Sequence, residues 1–197
     1  MNTNTFSIII IVLMILISYK MYYNSDLFQL KCIISDIDGQ EYCVRERSKL
    51  NLAADHLATV NKHMKSVITY CVEKFPNEEC VIQMNKGYNP KKIMEALPTS
   101  KYTAYSQNKG EKIAFCLNKQ KNNPENLIDI NTLTFVALHE LAHVATKSIG
   151  HTPEFWKNFK FLLIQGEKIN IYKPIDYKKN PQNYCDMTIT DNQYFDH

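Results

Sequence analysis

Three histidines and two glutamates crowd the stretch from His139 to Trp156, HELAHVATKSIGHTPEFW. His139 and His143 are four residues apart, so on a helix they stand one turn apart on the same face, with Cβ atoms about 5–6 Å from each other. Two imidazoles so placed can converge on one zinc ion, with Zn–N bonds of about 2.0–2.1 Å. Glu140 is offset around the helix and reaches the metal's water rather than the metal. The pattern His-Glu-x-x-His therefore names a reaction, attack of a zinc-activated water on a peptide carbonyl. His151 supplies a third metal ligand, and three protein ligands leave the fourth position open, as at a catalytic zinc. Glu140 is then the catalytic base: it takes the proton as water attacks and returns it to the leaving amine. Glu154 is the alternative third ligand, with carboxylate chemistry. The metzincin pattern HExxHxxGxxH is excluded by spacing, because Thr146 and Ile149 stand where it needs Gly and His.

The elements around the motif are legible from pattern. Asn131 reads as the N-cap of a helix from Thr132 to about Ser148, with Gly150 as its C′ residue. Leu138, Leu141, Val144 and Ala145 face the core, leaving His139 and His143 toward a cleft. Thr152 caps the next helix, Pro153 takes its first position and Glu154 complements its dipole. The chain thus reverses at Gly150, which swings His151 back beside His143. Before the motif, Lys101–Ser106 and Lys112–Leu117 read as strands joined by a turn at Gly110. The segment Ile113–Leu117 reads as an edge strand on which an extended substrate adds. Ser48–Phe75 is a long amphipathic helix with Ser48 as N-cap, its apolar face running from Leu50 and Ala53 to Ile68 and Cys71. His56 and His63 on this helix are read as surface histidines, because their spacing does not suit a shared metal. Residues 76–100 are loop and short helix. Cys32–Val44 reads as a hairpin about Asp38-Gly39; a two-residue turn sets Ile34 opposite Cys43 with Cys32 diagonal to it, which permits a Cys32–Cys43 bridge in an oxidising compartment. The fold class is α+β, an active-site helix beside a small antiparallel sheet.

The 197 residues suffice for one domain with a core, and 45% are apolar. A net charge of +3 does not by itself imply nucleic-acid binding. Lys157, Lys160, Lys168, Lys173, Lys178 and Lys179 crowd the C-terminal third, as a solvated face or as a patch for an acidic partner or a phosphate backbone. Six cysteines permit three disulfides; none forms CxxC, and several lie in apolar runs where a free buried thiol is ordinary.

Met1 to Tyr19 has no charged side chain, and Phe6–Ile17 is almost wholly aliphatic. Residues 6–23 span about 27 Å as a helix, which predicts a transmembrane anchor in contact with the lipid bilayer, with Tyr19, Tyr22 and Tyr23 at the interface and Lys20 snorkelling. A cleaved signal peptide fits poorly, without a basic n-region or small residues at a cleavage site. The expected arrangement is an anchor over 1–23, a linker over 24–31 and a metallopeptidase-like domain within 24–197, in a single-pass protein of a host or virion membrane. The positive-inside rule places the domain in the cytoplasm.

The HELAH motif followed by GHTPEFW resembles the WLM and SprT-like metallopeptidases, in which a histidine precedes a helix carrying Phe or Trp, here His151, Phe155 and Trp156. KIAFCLN and NYCDMTIT resemble segments of membrane-anchored metallopeptidase-like proteins of large DNA viruses. The resemblance covers about Lys112 to Asp191, with a longer gap between His143 and His151 than the WLM pattern. It implies a zincin-like domain with His139, His143 and His151 as Zn2+ ligands and Glu140 as acid/base, acting on a protein or peptide. That family is linked to cleaving proteins bound to DNA, a role against which a membrane anchor argues. Met187 is expected as a hydrophobic floor under the metal. The alternative is a non-catalytic membrane or virion envelope protein that keeps zinc for structure.

Overall fold

The computed structural model describes residues 3–23 and 30–196. Two strands, β1 (Leu30–Ile34) and β2 (Glu41–Arg45), are followed by α2 (Leu50–Lys74), α3 (Glu79–Gly87) and β3 (Ile93–Glu95). Then come β4 (Ala104–Gln107), β5 (Lys112–Phe115), α4 (Ile130–Ala145) and α5 (Pro153–Lys168), and a small hairpin of β6 (Gln182–Tyr184) and β7 (Met187–Ile189). The first helix, α1 (Thr3–Tyr23), precedes them all.

The five-stranded sheet has the order β1-β2-β3-β5-β4. It is mixed, not antiparallel as expected: β1–β2 and β4–β5 are antiparallel, while β3 runs parallel to both β2 and β5. The reason is the crossover. Helices α2 and α3 fill the connection from β2 to β3, and a parallel return needs such a connection. β3 is three residues long, behind Lys91-Lys92, so it carries no readable alternation. Its insertion makes β5 an interior strand. The edge on this side is β4, so the expectation of an edge at Ile113–Leu117 is corrected.

The β1–β2 hairpin forms, with a longer turn than Asp-Gly alone. Ser35 N–H donates to Gln40 O and Gly39 N–H to Ser35 O, both at 3.0 Å. Gly39 takes a φ of +68° there, a left-handed conformation that costs glycine little. The extra turn residues shift the register, so Cys32 stands directly opposite Cys43 and Ile34 opposite Glu41. Cys32 and Cys43 are disulfide-bonded.

Helix α4 packs against α2 and α5, and α2 and α4 both contact the sheet; α5 runs back along α4, so that Phe155 meets His143 and Phe159 meets His139. The buried face of α2 includes Ala53, Leu57, Val60, Met64, Val67, Ile68 and Cys71. Ser48 does not cap it; its N–H donates to Glu125 Oε1 at 2.9 Å, and Lys49 occupies the cap position. On α4 the cap is Asp129, whose carboxylate accepts from Thr132 N–H at 2.9 Å. Asn131, the expected cap, instead pairs with the Lys173 backbone, donating to its carbonyl at 2.9 Å and accepting from its N–H at 2.8 Å. α4 ends at Ala145, earlier than expected, because Thr146 turns to an extended conformation and its hydroxyl donates back to Ala142 O at 2.7 Å. α5 follows the expectation: Thr152 caps it through Phe155 N–H at 3.3 Å, with Pro153 at its first position.

Among the described residues no helix is long and apolar enough to cross a membrane, so the transmembrane anchor, and with it the single-pass membrane protein, is corrected. The segment is helical, but its unbroken aliphatic run is only Ile8–Ile17, about 15 Å at 1.5 Å per residue against a hydrocarbon core of about 30 Å. Thr5 and Ser7 precede this run, and Ser18 and Lys20 follow it. Of the linker expected over 24–31, residues 24–29 lie outside the described residues, and Leu30 and Lys31 already belong to β1.

Candidate metal centre

Spacing on α4 and the reversal after it bring the three histidines together. His139, His143 and His151 form a triangle with ring centroids 5.0 Å apart on every side. Each offers a ring nitrogen, and these atoms lie within 4.8 Å of one another. His139 Nε2 and His151 Nε2 are 3.1 Å apart, close to the roughly 3.3 Å that separates two nitrogens on a tetrahedral zinc with bonds of about 2.0–2.1 Å. Three imidazoles with converging nitrogens are a donor set suited to a divalent cation. Burial and the His143 and His151 rings push His139 down to about 3. Burial, with His151 and Lys109, pushes His143 down to about 4. Both rings are therefore neutral near pH 7, the form that binds metal.

His151 owes its position to the loop between α4 and α5. Lys109, in the β4–β5 turn, donates from Nζ to Thr146 O at 2.6 Å and Ser148 O at 2.8 Å, with a longer contact to His143 O at 3.4 Å. It thus meets carbonyls left unpaired at the helix end and pins the loop on one side. On the other, Asn158 Nδ2 donates to Thr146 Oγ1 at 2.9 Å. Gly150, at φ +84°, turns the chain just before His151. Glu154 accepts from Ser148 Oγ at 2.9 Å. It braces the loop and stands outside the cluster, whose third member is His151. Lys109 escaped sequence analysis because a lysine in a polar turn carries no signal of the helix end it reaches.

Aromatic rings fix the imidazoles. Phe155 stacks on His143 at 4.3 Å, Phe159 meets His139 edge-on at 5.0 Å, and Trp156 lies 5.1 Å from His151. These rings make the apolar support expected of Met187. Met187 lines the same cleft, but it is 49% exposed and accepts from Thr103 Oγ1 at 3.4 Å.

Glu140 is only 5% exposed. Burial pushes its carboxyl up to about 8, opposed by a hydrogen bond from the Ser106 backbone on β4. The histidines and Glu140 open into a cavity of about 1220 Å³. Its walls are α4, the edge strand β4, the loop at Ile149–His151, and the β6–β7 hairpin. A disulfide between Cys116 and Cys185, unforeseen because 69 residues separate the two, fastens that hairpin to the chain leaving β5. Cys71 and Cys80 are free thiols.

His56 and His63 stand apart from the cluster, as expected, but they are half-buried rather than surface groups. His63 Nδ1 pairs with Thr134 Oγ1 at 2.9 Å and His56 with the Leu52 and Ile128 carbonyls. Of the C-terminal lysines, Lys178 pairs with Asp191 at 3.1 Å and Lys179 with Asp176 at 3.2 Å.

Comparison with known proteins gives viral relatives. Over 159 residues the chain is 36% identical to the uncharacterized protein R325 of Acanthamoeba polyphaga mimivirus, covering 79% of this chain and 80% of that one. It is 37% identical over 75 residues to uncharacterized protein 136R of Invertebrate iridescent virus 6, covering 38% and 41% of the two chains. A 59-residue match to uncharacterized protein 042R of Invertebrate iridescent virus 3 is 44% identical and covers 30% and 36%. The likeness to proteins of large DNA viruses is thereby borne out. No family model matches the chain, and no solved structure matches it.

Proposed function

The chain belongs to the same family as protein R325 of mimivirus, and for it we propose a zinc-dependent metallopeptidase, akin in its motif to the WLM and SprT-like enzymes, that hydrolyses peptide bonds. The observation that carries this is the convergence of His139, His143 and His151 beside a buried carboxylate, Glu140, in a cleft whose wall is an edge strand. His139, His143 and His151 would hold the metal. Bound there, Zn2+ supplies Lewis acidity for polarising a carbonyl and for activating water.

The chain's own residues account for the rest. Glu140 accepts a proton at its carboxylate and passes it to the leaving amine. A dication at the histidines favours its ionised form and so lowers a value that burial raises to about 8 against the Ser106 hydrogen bond. The Ser106 backbone hydrogen bond orients that carboxylate from β4. As the end strand of the sheet, β4 offers backbone groups to an extended substrate. Phe155, Phe159 and Trp156 hold the imidazoles and keep water from behind them.

The alternative, a non-catalytic virion component with a structural zinc, gives no use to Glu140 or to an open cleft; structural zinc sites are closed. Metal analysis tests the ligand set. One zinc per chain is expected in the wild type and in Glu154→Ala, with loss of stoichiometric binding in His151→Ala. Retention in His151→Ala with loss in Glu154→Ala would overturn the assignment.

A further inference from the structure

The cleft extends past the histidines. Phe135 and Val136 lie four and three residues before His139, on the same side of α4, and line the cavity together with Phe159. Tyr184, Met187 and Ile189 of the β6–β7 hairpin line it as well.

This hairpin is firmly placed. Its turn residues Cys185 and Asp186 take φ angles of +51° and +65°, the left-handed pair of a tight hairpin turn. Cys185 is bonded to Cys116. The N–H groups of Cys185 and Asp186 donate to Asn118 O at 2.9 Å and Lys119 O at 3.2 Å. Tyr184 Oη donates to Thr103 O at 3.3 Å, beside the start of β4.

Two contacts along β4 give the direction. The Ser106 backbone bonds Glu140, and Thr103 bonds the hairpin. The hairpin wall is thus three strand positions from the general base, about 10 Å at 3.3 Å per residue. Charge also distinguishes this end. The acidic and basic side chains lining the cavity, histidines aside, are Glu140, Lys109 and Asp191. Lys109 is bonded to the end of α4, and Asp191 is paired with Lys178 at 3.1 Å. A charged side chain seated against the buried Phe135 and Val136 would lose hydration without gaining a partner.

We propose that the disulfide-fastened hairpin is the specificity element of the site. With Phe135 and Val136 it forms an apolar subsite that takes a bulky apolar side chain, Leu, Met or Phe, within three residues of the scissile bond of a peptide laid along β4. The inference rests on the peptidase reading given above.

The test uses the full zinc-loaded chain, a library of unstructured peptides, and mass spectrometry of the cut sites. Enrichment of Leu, Met or Phe at one position within three residues of the cut is expected, with Asp and Glu excluded there. Met187→Glu, at an exposed position, is expected to bind zinc as the wild type does. It should cut those peptides at least about tenfold less well and shift the preference toward Lys and Arg. Cleavage with no positional preference, or an unchanged preference in Met187→Glu, overturns the subsite. If the wild type binds zinc and cuts nothing, the peptidase reading fails alone. The subsite is then measured by competition between leucine and aspartate peptide hydroxamates for the zinc-loaded chain. Tighter binding of the leucine compound supports it and equal binding overturns it. A chain that holds no zinc overturns both.

Discussion

Lys109 is the residue whose removal tests how the third histidine is held. Its ammonium bonds Thr146 O at 2.6 Å and Ser148 O at 2.8 Å, in the loop that delivers His151. Hydrogen bonds to a charged group contribute about 1.5–3 kcal/mol each, and a cation at a helix C-terminus adds about 0.3–1 kcal/mol. Water replaces part of this once the side chain is cut back, so about 2 kcal/mol is expected for Lys109→Met rather than the full sum. If that energy orders the loop, it appears in metal affinity, and at 1.4 kcal/mol per decade zinc binding weakens about 10- to 30-fold. Competition against a fluorescent zinc chelator measures it. Lys109→Arg, which keeps the charge, should lose less. The decisive comparison is a double-mutant cycle. In a His151→Ala background, Lys109→Met should weaken zinc binding little further, because the ligand it positions is already gone. An equal loss in both backgrounds, or no loss in the first, would refute the reasoning and leave Lys109 with a stabilising role only.

Other outcomes follow from single contacts. Asp129→Ala removes the N-cap of α4 and should cost about 0.5–2 kcal/mol in chemical denaturation; Asn131→Ala should leave that cap intact and instead loosen the Lys173 segment. Replacing Cys116 and Cys185 together with alanine opens a 69-residue loop, and the chain-entropy account puts the loss at about 4 kcal/mol, read from the urea midpoint. Burial and Lys62 hold His63 below its ordinary value, so the unfolded chain protonates first. The stability it contributes is therefore present above about pH 6.5 and is lost as pH falls toward its lower folded value. His63→Gln should flatten the decline in melting temperature between pH 7.5 and 5.5, and an unchanged slope would count against it.

Much of the centre was legible in the chain because its chemistry is local. His139, Glu140 and His143 follow from helical spacing, and His151 from the Thr152-Pro153 helix start. What escaped was non-local. Lys109 reaches the end of α4 across 37 residues of sequence, and Cys116 meets Cys185 across 69; neither pairing leaves a spacing signature. β3 was missed because three residues carry no period, and its insertion turned an expected edge strand into an interior one. Asn131 and Ser48 are good capping types by composition, yet Asp129 won the cap of α4, and Ser48 turned to Glu125. The transmembrane expectation counted residues 6–23 as one span, although the unbroken aliphatic run within them is too short to cross a bilayer.

The most direct measurement is proteolysis of an unstructured protein by wild type and by Glu140→Gln at matched zinc content. The substitution keeps the size of the side chain and removes its ability to take a proton. Equal zinc in both proteins, with cleavage reduced about 100-fold or more in Glu140→Gln and abolished in both by a chelator, is the expected result. Cleavage by Glu140→Gln at the wild-type rate, or none by a zinc-replete wild type, would contradict a metallopeptidase built on His139, His143, His151 and Glu140.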